Sequence, residues 1–406
     1  MSEWREVTLG ELCDENGGSV QTGPFGSQLH ASSYVNDGVP CVMPQDIGDN
    51  LISTDKIARV SSDDRNRLAR YALETGDIVF SRRGDVGRRA LVHPGSDGWL
   101  CGTGCLRIRL GMSLGDAQFI SYALGTVETR GWILRHSVGA TMANLNTSIL
   151  RSTPLSVPGE RSRLAIGGLL GALDDKIAAN AELARTADRL ACGLFTRSVA
   201  GVESGPRSFG DLCAVGGGGT PKSSEPAFWS GDTDWATPTD VTRLSGPYLR
   251  STAKRITSEG LAACASRLYP VNSILMTSRA TIGSFALAKA PMAVNQGFIV
   301  VNPTDKSLCC WFLHEMRSRV DEFKSLANGA TFLELSRGNF KKLPVRLADP
   351  AAMTEFCARA GGLHDLANQA LIESDALARL RDTLLPHLMS GRMRVRDAEK
   401  TVSDAV

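Results

Sequence analysis

Eight consecutive residues, Gly216-Gly217-Gly218-Gly219-Thr220-Pro221-Lys222-Ser223, have the composition of a loop whose backbone N–H groups cradle a phosphate. Their spacing denies that chemistry. Pro221 stands where the last glycine of such a loop belongs, and it removes a donor from the cradle. The glycines follow no convincing parallel strand, which argues against a methyl-donor pocket. The nearest approach to an amino-methyltransferase motif, Asn302-Pro303-Thr304-Asp305, lacks the second proline and the aromatic residue. Six scattered histidines show no metal-ligand spacing, and Cys101-x-x-x-Cys105 has no matching pair. Most of the ten cysteines read as buried, reduced thiols. With no Ser/His/Asp or paired-carboxylate constellation in view, the sequence offers no active site.

What remains is a set of polar, glycine-bearing loops suited to contact. Gly23, Pro24, Phe25, Gly26, Ser27 and Gln28 combine backbone freedom with an exposed aromatic ring and an amide able to read adenine. Gln45 lies in the short island Pro44-Gln45-Asp46-Ile47. Arg82, Arg83, Arg88 and Arg89 put four guanidiniums on a predicted hairpin, whose counterpart later in the chain carries Arg279. Gly219, Thr220 and Lys222 read as a flexible loop whose lysine can reach a phosphate backbone or a groove. Asn295 and Gln296, before Gly297, correspond loosely to Thr103-Gly104, each set lying between two strands. An arginine run is often only a solvated face. Its recurrence at matching places favours nucleic acid, with some arginines positioning on phosphates and others reading guanine edges.

The elements that position these loops come twice, about 190 to 200 residues apart. Gly10-Glu11-Leu12-Cys13 returns as Gly210-Asp211-Leu212-Cys213, and Pro44-Gln45-Asp46-Ile47 as Pro238-Thr239-Asp240-Val241. The hairpin from Asp77 to Gly87 returns from Ser273 to Gly283, and Gly139-Ala140-Thr141 with Leu145 returns as Gly329-Ala330-Thr331 with Leu335. Around these islands, short apolar runs broken by Gly, Pro, Asn and Asp predict strands joined by long loops. One helical stretch is predicted from about Ala117 to Ser137, with a counterpart from Leu308 to Leu326.

Each half then ends in a long helix. Ile166, Leu170, Leu173, Ile177, Asn180, Ala184, Ala187, Ala191 and Leu194 keep a 4,3 spacing, the 3.5-residue seam of a coiled coil. Leu363, Leu366, Ala370, Leu377, Leu380 and Leu384 line a second helix from about 351 to 390, and Gly201 closes the first. Antiparallel pairing of the two predicts a rod with a domain at each end, and Asn180 is a candidate for fixing its register.

Composition bounds the reading. A chain of 406 residues, 42% hydrophobic and 22% charged, can bury two ordinary cores. No run approaches the length needed to span a bilayer, so the expected location is cytoplasmic, with no membrane partner. A net charge of +2 does not announce a nucleic-acid binder, so any such surface is local. Arginine outnumbers lysine 35 to 10, which suits bidentate guanine contacts but also follows from a GC-rich genome.

Several strings resemble one family, the specificity subunits of type I restriction-modification systems. Leu173-Asp174-Asp175-Lys176-Ile177-Ala178-Ala179-Asn180 resembles its central helix, and Arg381-Asp382-Thr383-Leu384-Leu385-Pro386-His387-Leu388-Met389-Ser390-Gly391 is similar to its C-terminal helix ending. Gly23 to Leu29 resembles the opening loop of one class of target-recognition domain. Gly218 to Lys222, with Phe228 to Asp232 and Trp235, resembles the opening of another. The resemblance implies an α+β fold: two pseudo-twofold-related target-recognition domains of mixed strands and short helices, separated by two long helices pairing as an antiparallel coiled coil. The expected boundaries are 1–158 and 204–348 for the recognition domains, and 159–203 and 349–406 for the helical regions.

It implies a non-catalytic subunit that reads the two halves of an asymmetric, interrupted site in double-stranded DNA. Two modification subunits would supply S-adenosylmethionine and adenine N6-methylation, and two restriction subunits would use ATP and Mg. No cofactor is expected in this chain. Partner docking falls to Ile166, Leu170, Leu173, Ile177, Asn180, Leu194, Leu363, Leu377, Leu380 and Leu384. Two other classes compete: the recognition portion of a fused methylase, which lacks its methyl-donor motifs here, and a protein-only coiled-coil scaffold, which leaves the paired polar loops unused.

Overall fold

The computed structural model describes residues 4–138, 144–328 and 333–405, so the islands Gly139-Ala140-Thr141 and Gly329-Ala330-Thr331 lie outside the described residues. The chain forms two compact units, residues 1–175 with 377–406 and residues 176–376. Both long helices, Glu160–Ser198 and Pro350–Met389, contribute to both units.

In the first unit a five-stranded sheet has the order Ser19–Thr22, Cys105–Arg109, Ile78–Ser81, Arg89–Leu91, Asp49–Asn50. A three-stranded sheet has the order Ala58–Val60, Tyr34–Val42, Leu100–Cys101, and a ribbon joins Arg5–Thr8 to Pro154–Val157. The second unit repeats every strand in the same order: Cys213–Gly216, Phe298–Pro303, Ile274–Thr277, Phe285–Ala288, Tyr248–Leu249, with the small sheet Arg255–Ile256, Trp229–Ala236, Met292–Val294 and the ribbon Ser204–Ser208 with Pro344–Arg346. The repeated islands are the fixed points of this frame. Thr8 and Glu11 close a capping box at the first short helix, with the Thr8 N–H donating to Glu11 Oε2 at 2.8 Å. Ser208 and Asp211 do the same at 2.8 Å. The Asp46 carboxylate accepts from the Met43 N–H at 2.8 Å, and Asp240 accepts from the Thr237 N–H at the same distance.

Each predicted single helix in the domains is broken in two. The first becomes Leu114–Leu124 and Val127–His136, because Gly125 ends one helix and the Thr126 hydroxyl caps the next by accepting from the Thr129 N–H. The second becomes Cys309–Arg317 and Val320–Ser325.

The seam of the central helix is as its spacing predicts: Ile166, Leu170, Leu173, Asn180, Ala184, Ala187 and Ala191 are buried, and Ile177 and Leu194 partly so. Within the second unit the helices run antiparallel. Ser374 Oγ donates to the Ile177 carbonyl, Asn180 Nδ2 donates to Glu373 Oε2 at 2.9 Å, and Phe195 packs edge-on to Phe356. Among the described residues Glu373 is thus the side-chain partner of the buried Asn180. The seam assigned to the other helix needs one correction, since Leu366 is 47% exposed. Ala370, Leu377 and Leu384 are buried and Leu363 and Leu380 partly so, while around Leu366 the buried positions belong to Ala360, His364, Ala367 and Ser374. Gly201, at φ +74°, follows the end of the central helix.

Candidate nucleic-acid interface

In the first unit four chain segments meet around Gly102-Thr103-Gly104. The Gly102 N–H donates to the Val42 carbonyl (2.9 Å), which leads into the turn carrying Gln45. The Arg82 N–H donates to the Gly104 carbonyl (2.8 Å), and the Gly23 N–H to the Cys105 carbonyl (2.9 Å). Leu145 is buried and donates its N–H to the Arg82 carbonyl (2.9 Å). The loops bearing Gly23, Gln45, Arg82 and Arg83 therefore share one end of the strand framework. Gln45 and Arg83 are exposed, as are Gly26 and Ser27.

The second unit builds the same junction around Asn295-Gln296-Gly297. Asn295 donates its N–H to the Ala236 carbonyl (2.9 Å), Ser278 to Gly297 (2.8 Å), Gly219 to Val294 (3.2 Å) and Leu335 to Ser278 (3.0 Å). Thr220 Oγ1 donates to Gln296 Oε1 at 2.5 Å, which joins two predicted contact residues in one patch, while the Asn295 side chain caps the Gly297 N–H. The frame makes Arg82 the counterpart of Ser278 and Arg83 the counterpart of Arg279.

Several side chains have duties the sequence did not disclose. Arg89 is buried rather than displayed on the hairpin; it pairs with Asp49 at 2.9 Å and donates to the Ser121 carbonyl, and burial lowers its pKa against the pull of Asp49. Three arginines, not four, remain on the hairpin, and Arg88 stands beside Asp85 at 3.7 Å. Gln28 Oε1 accepts from the Phe25 N–H (3.2 Å) and the Tyr71 hydroxyl (2.9 Å). Its carbonyl therefore fixes the turn and is not open for a two-point contact with adenine. Phe25, 58% exposed, is the group this turn presents, with Pro24 buried behind it.

The glycine run is not flexible. Gly216 to Gly219 are buried, and a Cβ on Gly218 would stand 1.7 Å from the Val294 carbonyl oxygen. Tyr269 donates to the Gly217 carbonyl (2.6 Å) and Trp235 Nε1 to the Gly219 carbonyl (3.0 Å). These glycines allow close backbone approach, and exposure begins at Thr220 and Lys222.

Sequence reasoning missed Asn144 and Glu334. Asn144 bridges to Arg83 and Glu334 to Arg279 in β-fashion, and Glu334 Oε1 lies 2.9 Å from Arg279 Nε. The signal was available: both follow the repeated Gly-Ala-Thr islands at a constant offset. Among the described residues no group of three His, Cys, Asp or Glu side chains is placed to hold a metal ion, and no helix is long and apolar enough to cross a membrane.

The comparisons with known proteins agree with this two-unit frame. The type I restriction modification DNA specificity domain matches at residues 1–184 and again at 202–350. The MjaIX specificity subunit of Methanocaldococcus jannaschii is 29% identical over 172 residues, 42% of this chain and 40% of that protein's length. The HindI specificity subunit of Haemophilus influenzae is 20% identical over 97% of this chain and 100% of its own. In fold, the chain is similar to the crystal structure of a type I restriction-modification S subunit from M. genitalium, with a TM-score of 0.60 at 16% identity, covering 95% of this chain and 96% of that one. With one matched region in each half of the chain, the protein belongs to the type I restriction modification DNA specificity family.

Proposed function

We propose that each half of this chain reads one half of an asymmetric, bipartite sequence in double-stranded DNA, and that the chain does no chemistry itself. The observation that carries this reading is the repeated loop junction: one strand framework, built twice in a DNA specificity family, ends in unlike polar loops. In the first half Phe25, Gly26, Ser27, Gln45, Arg82 and Arg83 face the DNA; in the second, Thr220, Lys222, Arg279 and Gln296. Gly23, Pro24, Gln28, Gly219 and Asn295 support them by shaping the backbone, and Arg88 serves as a flanking phosphate contact. Residues 1–158 and 204–348 act as the recognition domains.

The helical regions 159–203 and 349–406 set the unspecified spacer and dock two modification subunits. Those subunits would bring S-adenosylmethionine for adenine N6-methylation, and two restriction subunits would bring ATP and Mg for translocation and cleavage, in the cytoplasm. Methylome sequencing with and without the gene tests the reading directly. A bipartite methyladenine motif present only with the gene is the expected result; an unchanged methylome in a strain with active partner subunits overturns it.

A further inference from the structure

We infer that Asn144 and Glu334 are specificity-determining residues, each forming with its neighbouring arginine a two-residue reading head, and that Glu334 confines Arg279 to the base edges. This inference rests on the DNA-recognition reading above and names how two positions of it work.

Both halves build the head in the same way. Asn144 bridges antiparallel to Val138 on one side and to Arg83 on the other; Glu334 bridges to Asn328 and to Arg279. The following residue, Leu145 or Leu335, is buried and hydrogen-bonded to the hairpin backbone, so the bridging residue is held in register against the arginine. Bridged residues project their side chains to the same face, about 5 Å apart. Arg83 is exposed, and Asn144, Arg279 and Glu334 are partly so.

The two heads differ in charge. Arg83 stands beside a neutral amide and has no carboxylate partner among the described residues, so it keeps a full attraction for phosphate. Arg279 is paired with Glu334 at 2.9 Å. A carboxylate beside the guanidinium cancels most of that attraction, because it repels the same phosphates. An arginine so neutralised gains little from the DNA backbone. It can still donate to guanine O6 and N7, while a carboxylate oxygen accepts from cytosine N4. The head of the first half keeps its positive charge and combines a guanine- or phosphate-seeking arginine with a neutral amide. Asn144 Oδ1 and Thr103 Oγ1 are buried in this junction without a hydrogen-bond partner among the described residues, as are Arg82 Nε and Arg279 Nε, the latter facing Glu334 as an ion pair without hydrogen-bond geometry.

The test uses the chain assembled with its modification subunit, a duplex bearing the methylated motif, and the nearly isosteric Glu334→Gln. Freed from its carboxylate, Arg279 should engage a phosphate: the slope of log K against log salt steepens by about one unit. One position of the second half-site should also relax, by about 5- to 150-fold in discrimination. Asn144→Asp should flatten the slope and alter one position of the first half-site only. A steeper slope with every motif position unchanged overturns the base-reading role, and so does the absence of both effects. A wild-type assembly that methylates without sequence preference would instead sink the DNA-recognition reading itself.

Discussion

At one matching place on the long helices the first unit holds a buried carboxylate and the second a pair of neutral rings, which there sit beside the charged pair Arg317–Asp188 at 2.6 Å. In the first, Asp174 is buried and accepts from Arg381 (2.5 Å) and from the Tyr122 hydroxyl (2.5 Å), with Asn50 Nδ2 at 3.4 Å. Burial opposes the charge on Arg381, but Asp174 more than restores it and raises that pKa; burial and Asp174 together raise Tyr122. The matching helix position in the second unit, 190 residues on, is His364. Its Nδ1 meets the Tyr248 hydroxyl at 2.8 Å and its Nε2 meets His314 Nε2 at 2.9 Å. Burial drives His364 down to about 4 and His314 down to about 3, with Asp188 opposing in part. A Nε2 to Nε2 contact needs one nitrogen protonated and the other bare, so both rings stay neutral without repelling each other. The lesson is that the strand order is kept while the polar lock beneath it is replaced, which requires only that every buried group find a partner.

The largest expected effect follows from breaking the charged lock. Asp174→Ala leaves Arg381 buried without its main counter-charge and should destabilise the first unit by about 3 to 5 kcal/mol. Urea unfolding followed by a probe in each unit checks this; an equal loss in both units would show that the lock is not local. Next comes the glycine contrast between the recognition loops. Gly218→Ala forces a Cβ against the Val294 carbonyl, 1.7 Å away, whereas a Cβ on Gly26 meets nothing within 4 Å. The first substitution should cost roughly 2 to 4 kcal/mol and the second under about 0.5, read by the same unfolding curves.

The histidine lock makes the second unit acid-sensitive. Because burial holds the folded pKa of His364 at about 4, below the ordinary imidazole value of 6.5, its contribution is complete above about pH 6.5 and is lost as pH falls toward 4. At pH 5 the loss is roughly 2 kcal/mol. Stability of the second unit measured from pH 7.5 to 4.5 should fall at least that much, because His314, at about 3, adds a loss of the same sign; the fall should lessen in His364→Gln and flatten only when His314→Gln is added. A pH-independent second unit would mean that the rings are not held neutral. The smallest effect lies at the hairpin tips, where Gly84 sits at φ +76° and its counterpart Ala280 at φ +55°. An alanine in the left-handed region is strained, so Ala280→Gly should stabilise the second unit by about 1 kcal/mol, whereas Gly84→Ala should destabilise the first by a similar amount. Melting curves of the two variants give the comparison.

The sequence by itself determined the duplication, the strand-rich character of both halves and the seam of the central helix. These are properties of spacing, and spacing survives substitution. Gly10 and Gly210, or Leu145 and Leu335, mark equivalent places because the frame between them has equivalent length. Tertiary structure decided which polar residues remain available for contact. Arg89 looks like a member of a basic hairpin until Asp49 and the Ser121 carbonyl are seen to claim it, and Gln28 looks like an adenine reader until Phe25 and Tyr71 take its carbonyl. Gly218 looks flexible until Val294 closes over it. Glu334 looks like solvent-facing charge until a bridge across some 55 residues sets it beside Arg279. Each of these facts depends on a partner distant in the chain. A side chain's own type and its neighbours' spacing limit what it can do, but only a partner brought near by folding decides whether its hydrogen bonds are already spent.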